Sequence, residues 1–330
     1  MDERGIEVLL YGVGAIGSFY AYILQKSNNV RLSVVARSNH EAIRSNGILI
    51  KSENHGEHLF RPMHVLRKPN EAGHTFDFVV CCNKATDLEG TAKELADVVE
   101  DEKTVIVILQ NGVGNEDPFH RAFPGNTILS AAVWTRSTQY APGTIRQESA
   151  EGTDIGIYLP PGSVTWTPTQ QDDLTRFIVL LEYGKSPFTV YDNIQTQRWK
   201  KVIWNCAWNP LTALTACTTQ EWLTSSDLAV SLSRRVMNEA IDVARAAGVP
   251  GIEHDLVDEF MEKINILPGL YASMYYDTVN GSSMEVEVIL GTPVRKAREL
   301  GVSTPTLDIL YAMVKAVDMR MKIVRNSIDA

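Results

Sequence analysis

Lys201, Asn205 and Asn209 recur every four residues along the stretch 199–210, WKKVIWNCAWNP. At about 100° per residue such positions fall within roughly 80° of one another, so on a helix they form one polar stripe. Around the stripe stand Val202, Ile203, Trp204, Cys206, Ala207 and Trp208, dense enough in apolar groups for a helix buried on most sides. A surface helix with a wet polar face is the plain alternative. Against it, asparagine is a poor helix former, and three tryptophans within ten residues indicate burial. A buried ammonium in line with two amides needs partners, and a small ligand rich in acceptor oxygens supplies them. The stripe is therefore the candidate site. Pro210 leaves the Cys206 carbonyl without its helical donor, so the helix is expected to bend or end there.

Such a stripe needs a scaffold that brings a second reactant to it. Residues 6–11 are a short apolar run, and they lead into Gly12-Val13-Gly14-Ala15-Ile16-Gly17. An amphipathic stretch over 15–26 and an apolar run over 30–36 follow. Strand, glycine turn, helix, strand is the order that binds a dinucleotide. The first glycine allows the turn, the second lets a pyrophosphate approach the backbone, and the third lets helix and strand pack closely. Free N–H groups at the helix start favour the phosphates. The second strand ends Val35-Ala36-Arg37-Ser38, with no acid to take a ribose 2′-hydroxyl. Arg37 can instead pair with a 2′-phosphate, with Ser38 adding a hydrogen bond. NADP(H) is therefore the expected cofactor.

Further along, 47–52 and 61–66 read as strands of a small insertion. Residues 76–82 (FDFVVCC) and 104–109 (TVIVIL) read as strands buried on both faces of a parallel sheet. The first ends at Asn83-Lys84-Ala85-Thr86, where Thr86 is placed to cap the next helix. Ligands gather beyond the carboxyl ends of such strands, so Lys84 is placed to meet the cofactor or another anion, or else is a solvated loop lysine. The second ends at Gln110-Asn111-Gly112, where the amides either orient a nicotinamide or substrate carbonyl, or merely make a turn. Residues 127–134 continue the apolar runs, 143–147 and 154–159 look like antiparallel strands, 170–184 has helical spacing, and 187–191 closes the sheet. From 194 onward the periodicity is helical, over about 194–214, 226–247, 253–266, 284–299 and 304–325. The expected architecture is α/β: a Rossmann-type dinucleotide-binding domain over 1–192, then an all-α substrate and catalytic domain over 193–330. The stripe is expected to face the strand tips across a cleft between them.

Composition narrows the function classes. A chain of 330 residues suits two domains. Its net charge of −9 argues against binding nucleic acid or an anionic membrane, while leaving a small anionic substrate open. Cys81, Cys82, Cys206 and Cys217 form no C-x-x-C and read as buried reduced thiols, and the seven histidines show no ligand spacing with them, so no metal is expected. The N-terminus does not read as a signal peptide, and no apolar run approaches the ~18 residues of a membrane span. The cytoplasm is the expected compartment.

Two further features complete the set. Ser273 lies in Ala272-Ser273-Met274-Tyr275-Tyr276-Asp277 after a Pro-Gly break, and Glu285 follows it by twelve residues in MEVEVILG. Glu285 reads either as a partner for a lysine or as a first-turn glutamate complementing a helix dipole. The succession GVGAIG, a strand-end arginine, NKA, QNG, WKKVIWNCAWNPLTAL and S-M-x-x-D with its later glutamate resembles the ketopantoate reductase family over nearly the whole chain. The resemblance implies NADPH-dependent reduction of 2-dehydropantoate to (R)-pantoate, on the route to pantothenate and coenzyme A.

By that resemblance Lys201 matches the general acid, and Glu285 a carboxylate serving both the catalytic lysine and the cofactor side. Asn205, Asn209 and Ser273 match substrate contacts. Gly12, Val13, Gly14, Ala15, Ile16, Gly17, Arg37 and Lys84 match cofactor contacts, and Asn111 matches both kinds. Ser282-Ser283-Met284 imitates the serine motif at the wrong distance from Glu285 and is set aside. Thr219 stands where the family often has asparagine, and 267–272 lacks the usual pair of serines, so the substrate's far end is less secure than the reaction class. The alternatives are a reductase of the same fold acting on another 2-oxo acid, ketone or imine, and a non-catalytic NADP(H) sensor. The expected partner is a small anionic 2-oxo acid, and the apolar C-terminal helices allow a homodimer.

Overall fold

The structure, a computed structural model, describes residues 5–160, 162–163 and 165–328. Short runs of β-branched residues alternate with helices from the start of the chain: β1 (Ile6–Tyr11), α1 (Ala15–Gln25), β2 (Val30–Val35) and α2 (His40–Asn46). There follow β3 (Ile48–Ser52), β4 (Gly56–Phe60), β5 (His64–Leu66), β6 (Phe78–Cys81), α3 (Leu88–Glu94), β7 (Val105–Ile108) and α4 (Glu116–Ala122). The unit closes with β8 (Ile128–Val133), β9 (Ser137–Ala141), β10 (Thr144–Gln147), β11 (Thr153–Ile157), α5 (Pro168–Gly184) and β12 (Phe188–Val190).

Eight of these strands form one sheet in the order β12-β11-β8-β7-β6-β1-β2-β5, parallel from β8 to β5, with β11 antiparallel to β8. Alternate residues of β1 serve opposite faces. Val8 and Leu10 join the core under α1 and α5, whereas Leu9 and Tyr11 join a second core with Ala92 of α3 and Phe119 of α4. Every residue of β6 and β7 is buried, as expected of strands covered on both sides. The chain leaves β1 toward β2 and later returns to β1's other side as β6. The loops after β1 and β6 thus flank the topological switch point, where ligands bind in such sheets.

Several elements differ from the sequence reading. The strands at 47–52 and 61–66 do not belong together: β3 joins β4, β10 and β9 in a four-stranded sheet, and β5 extends the main sheet beside β2. Likewise β10 and β11 lie in different sheets, β10 antiparallel to β9 and β11 antiparallel to β8. Asp87, not Thr86, caps α3, its carboxylate accepting the Gly90 N–H at 2.9 Å.

The second compact unit contains α6 (Ile194–Thr215), α7 (Thr219–Thr224), α8 (Ala229–Ala246), α9 (Leu256–Ile266), α10 (Ser273–Val279), α11 (Thr292–Leu300) and α12 (Pro305–Ile328). A π-helical turn over Glu287–Gly291 leads into α11. Residues 111–114 group with this unit, and 115–194 with the sheet. The architecture is α/β, a Rossmann-type unit followed by an all-helical one. Helix α6 does not end at Pro210 but runs on to Thr215. Leu211 and Thr212 are buried there, and that packing outweighs one missing backbone donor. At the start of α12, the buried Glu239 carboxylate accepts the N–H groups of Thr306 and Leu307 at 2.9 and 2.8 Å. No helix among the described residues is long and apolar enough to cross a membrane.

Candidate active site

Helix α6 presents the stripe as its spacing requires. Lys201 is half-buried, Asn205 is 9% exposed and Asn209 2%. Lys201 Nζ donates to Asn111 Oδ1 at 2.8 Å, and Asn111 Nδ2 donates to Glu285 Oε2 at 3.0 Å. The amide therefore joins ammonium to carboxylate, oxygen toward one and nitrogen toward the other. Glu285 is itself 9% exposed and directly precedes the helical turn that becomes π-helical. Such turns recur at functional sites because they offset the backbone by one residue.

The loop carrying Asn111 is fixed by three contacts. Arg198 Nη2 donates to the Gly112 carbonyl at 2.6 Å, and the Val113 N–H donates to the Val288 carbonyl at 3.1 Å. Gly112 has φ +100°, and a Cβ there would lie 2.4 Å from Val288 Cβ. Only glycine fits both conditions. Cys206, on the same helix as the stripe, donates its thiol to the Ile289 carbonyl at 3.1 Å. On the stripe, Asn209 Nδ2 is buried without a hydrogen-bond partner. A dry, unmatched donor costs about 1–3 kcal/mol, a cost a ligand oxygen would remove.

Ser273 is exposed at the first residue of α10 and is not part of the hydrogen-bonded triplet. The strand of chain before it is pinned to the end of α6 and the start of α7. Thr212 Oγ1 accepts the Ala272 N–H at 3.4 Å, and Thr219 exchanges bonds with Leu270 at 3.0 and 3.3 Å. Gln220 Nε2 donates to the Ile264 and Leu267 carbonyls at 2.7 and 2.9 Å. Ser273 is thereby tethered near Thr212, three residues beyond Asn209 on α6.

The glycine turn of the first unit meets each requirement of a pyrophosphate cradle. Gly12 has φ +102°, and a Cβ there would lie 2.4 Å from the Asn83 nitrogen. At Gly17 a Cβ would lie 1.9 Å from the Gly12 oxygen, while at Gly14 it would meet nothing within 4 Å. The outer glycines serve the turn and the packing, and the middle one faces open space. Helix α1 starts with no side-chain cap and no acid in its first turn, leaving its N–H groups to an anion. The Asn39 amide braces the turn by donating to the Val13 carbonyl at 2.7 Å. Arg37 and Ser38 are exposed beyond β2, and Lys84 is half-buried beyond β6. Gln110 Nε2 donates to both oxygens of Asn83 at 2.9 and 3.0 Å, so this amide serves the loop. The residues present fit an NADP(H) molecule.

Arg198, Thr212 and Asn39 carry parts of this geometry that spacing alone did not single out. Arg198 is only 1% exposed, and a charged residue one turn before the stripe, on the same apolar helix, was the available signal. The four cysteines are free, but only Cys81 and Cys206 are buried; Cys82 and Cys217 are partly exposed at the edges of their elements, a correction to the reading of all four as buried. Among the described residues no group of three or more His, Cys, Asp or Glu is placed to hold a metal ion.

Fold and site together define an NADP-dependent oxidoreductase acting on a CH–OH/C=O group. Residues 8–160 match the family model described as Ketopantoate reductase PanE/ApbA, and residues 193–318 match its C-terminal counterpart. The chain belongs to the ketopantoate reductase family. It is 26% identical to a 2-dehydropantoate 2-reductase of Streptococcus pyogenes, over 96% of this chain and 99% of that one. The crystal structure of 2-dehydropantoate 2-reductase from Methylococcus capsulatus matches at a TM-score of 0.82 and 32% identity, covering 96% of this chain and 98% of that one. D-mandelate dehydrogenase with NADH and anilino(oxo)acetate shares the fold at a TM-score of 0.82 and 23% identity, over 96% and 99% of the two chains.

Proposed function

We propose that this chain reduces 2-dehydropantoate to (R)-pantoate in the cytoplasm, within pantothenate and coenzyme A biosynthesis. The hydrogen-bonded line from Lys201 through Asn111 to Glu285 carries the reading. Residues 1–192 form the cofactor domain, with 12–17, Arg37, Lys84 and Asn111 as cofactor contacts, and Glu285 is a further one. Residues 193–330 hold the substrate and the acid. NADPH, when bound, supplies the hydride that reaches the carbonyl carbon. Lys201 gives its proton to the carbonyl oxygen as the alcohol forms, a role worth typically 10²–10⁴ in rate. Asn111 aims the ammonium, and the Glu285 charge keeps it protonated against desolvation. Asn205 and Asn209 hold the oxo acid, and Ser273 meets its carboxylate.

The test is steady-state oxidation of NADPH with 2-dehydropantoate beside other 2-oxo acids, ketones and imines. Preference for 2-dehydropantoate by at least tenfold in kcat/KM supports the assignment, and a comparable preference for another carbonyl or imine compound replaces it with the same chemistry on that substrate. That second reading is favoured by one observation: Thr219, where the family often has asparagine, donates its N–H to the Leu270 carbonyl, and its hydroxyl accepts the Leu270 N–H and donates to Gln220 Oε1. NADPH binding without turnover of any compound in the panel points instead to a sensor. Exposed Ile309 and Met313 on α12 agree with a homodimer, which the solution mass tests.

A further inference from the structure

We propose that Pro293 is a positioning residue for the reaction: by withholding a backbone N–H it leaves the Val288 carbonyl to the loop that carries Asn111, and so holds that amide between Lys201 and Glu285. In an α-helix the Val288 carbonyl accepts the N–H four residues on, at Thr292, and in a π turn the N–H five residues on, at position 293. Thr292 donates its N–H to the Glu287 carbonyl instead, and position 293 is a proline with none to give. The Val288 carbonyl is therefore left over in both registers, although Val288 is only 4% exposed. A buried acceptor without a partner is unfavourable, and the Val113 N–H takes the place at 3.1 Å. The Ile289 carbonyl loses its α-helical donor to the same proline and accepts the Cys206 thiol of α6 at 3.1 Å. One missing N–H thus opens adjoining carbonyls to the loop bearing the amide and to the helix bearing the lysine.

The register that produces this is held from outside the turn. The Glu287 carboxylate accepts Arg295 Nη1 of α11 at 2.5 Å, and from α12 the Tyr311 hydroxyl at 3.1 Å and Lys315 Nζ at 2.8 Å. A Cβ on Gly291 would lie 2.5 Å from Glu287 Oε2, so glycine there lets the carboxylate fold back along the turn. Thr292 Oγ1 also donates to the Glu287 carbonyl, at 3.2 Å. Pro293 itself is buried in the first turn of α11. All these groups lie in the same compact unit as residues 111–114. A misplacement of about 1 Å near a reacting group can cost on the order of 10²-fold in rate, so this fastening bears on turnover more than on stability.

The inference rests on the reading of Lys201, Asn111 and Glu285 given above, and amide exchange tests it apart from that reading. Pro293→Ala returns an N–H that competes for the Val288 and Ile289 carbonyls. The Val113 amide is then expected to exchange with deuterium at least about fivefold faster than in wild type, with exchange along α8 unchanged. Turnover of the best substrate in the panel should fall roughly fivefold to twentyfold, with its KM within about twofold. The Tm should stay within about two degrees, since alanine suits the first turn of α11. Replacing Val113 by its α-hydroxy acid deletes the same bond from the loop side, and adding Pro293→Ala to that chain should lower turnover little further. Wild-type turnover in Pro293→Ala overturns the positioning role, whether or not the Val113 amide exchanges faster. A fall in Tm and turnover together, with Val113 exchange unchanged, makes the proline a plain helix-starting residue. Full turnover in Lys201→Ala, beside fast Val113 exchange in Pro293→Ala, would sink the reading of the triplet and the catalytic part of this inference, while the fastening itself stood.

Discussion

Lys201 and Asn111 stand ninety residues apart in the chain, and the ammonium of one donates to the amide oxygen of the other at 2.8 Å. The bond fixes the amide's orientation. Its nitrogen must face Glu285, and does, at 3.0 Å. Charge on the carboxylate is thus conveyed to the lysine through an intervening dipole whose sense cannot be reversed without losing both bonds.

Removing the ammonium should abolish proton delivery and leave the glycine turn alone. Lys201→Ala is expected to lower turnover by about 10²–10⁴ while the NADPH dissociation constant stays within about twofold. Glu285→Gln keeps an acceptor for the Asn111 amide and deletes the charge. Without that charge the ammonium is less well held for proton delivery, so turnover should fall while the NADPH dissociation constant stays within about twofold. Near wild-type turnover in Lys201→Ala would remove the lysine from the mechanism.

The glycines should separate binding from folding. Gly17→Ala drives a Cβ into the Gly12 oxygen, and a cost of about 1–3 kcal/mol is expected for such overpacking, visible as a drop of several degrees in Tm. Gly14→Ala meets no neighbour, so the Tm should hold while NADPH affinity falls at least tenfold, on the order of the loss of a close phosphate contact. Scanning calorimetry and a fluorescence titration read the two separately. Equal losses of stability in both variants would contradict the assignment of roles.

Thr219 should act on substrate affinity through the segment before Ser273. Thr219→Val keeps the shape and leaves the Leu270 N–H without its acceptor, a loss of about 1 kcal/mol for a half-buried group. The expected outcome is a several-fold rise in KM for the oxo acid with kcat nearly constant, recovered in Thr219→Ser. A fall in kcat that serine does not restore would argue that the residue does more than position the loop.

Alkaline conditions should weaken the fold before they touch the surface. Burial pushes the Cys81 thiol up to about 12 from an ordinary 9.0, and burial likewise pushes the Tyr20 hydroxyl up to about 12 from 10.0. Between those limits the folded chain holds protons that the unfolded chain has released. Stability is therefore complete below about pH 9 and declines as pH rises toward 12, by up to about 1.4 kcal/mol per unit for each group. Urea midpoints measured from pH 8 upward should fall along this course, less steeply in Cys81→Ala.

The sequence made the stripe legible because a four-residue repeat survives any packing, and it made β1, α1 and β2 legible because apolar runs and a glycine turn bound them closely. Strand β4 was not, since GEHLF is mostly exposed and is held by pairing with β3. Residues 61–66 looked like part of an insertion, because only tertiary pairing with β2 reveals β5 as a strand of the main sheet. The three-residue line from Lys201 through Asn111 to Glu285 was equally hidden. It depends on Arg198 and Val288 holding a loop that lies far from both in the chain.

Residues 111–114 interrupt the first unit in sequence yet group with the helices. No single cut can therefore divide this polypeptide into two self-sufficient pieces. A fragment beginning at 193 would retain Lys201 and Glu285 but lack the amide that bridges them, and Arg198 would be left without the Gly112 carbonyl. Anyone grafting the helical half of one reductase onto another must transplant a tetrapeptide from its partner's sheet as well.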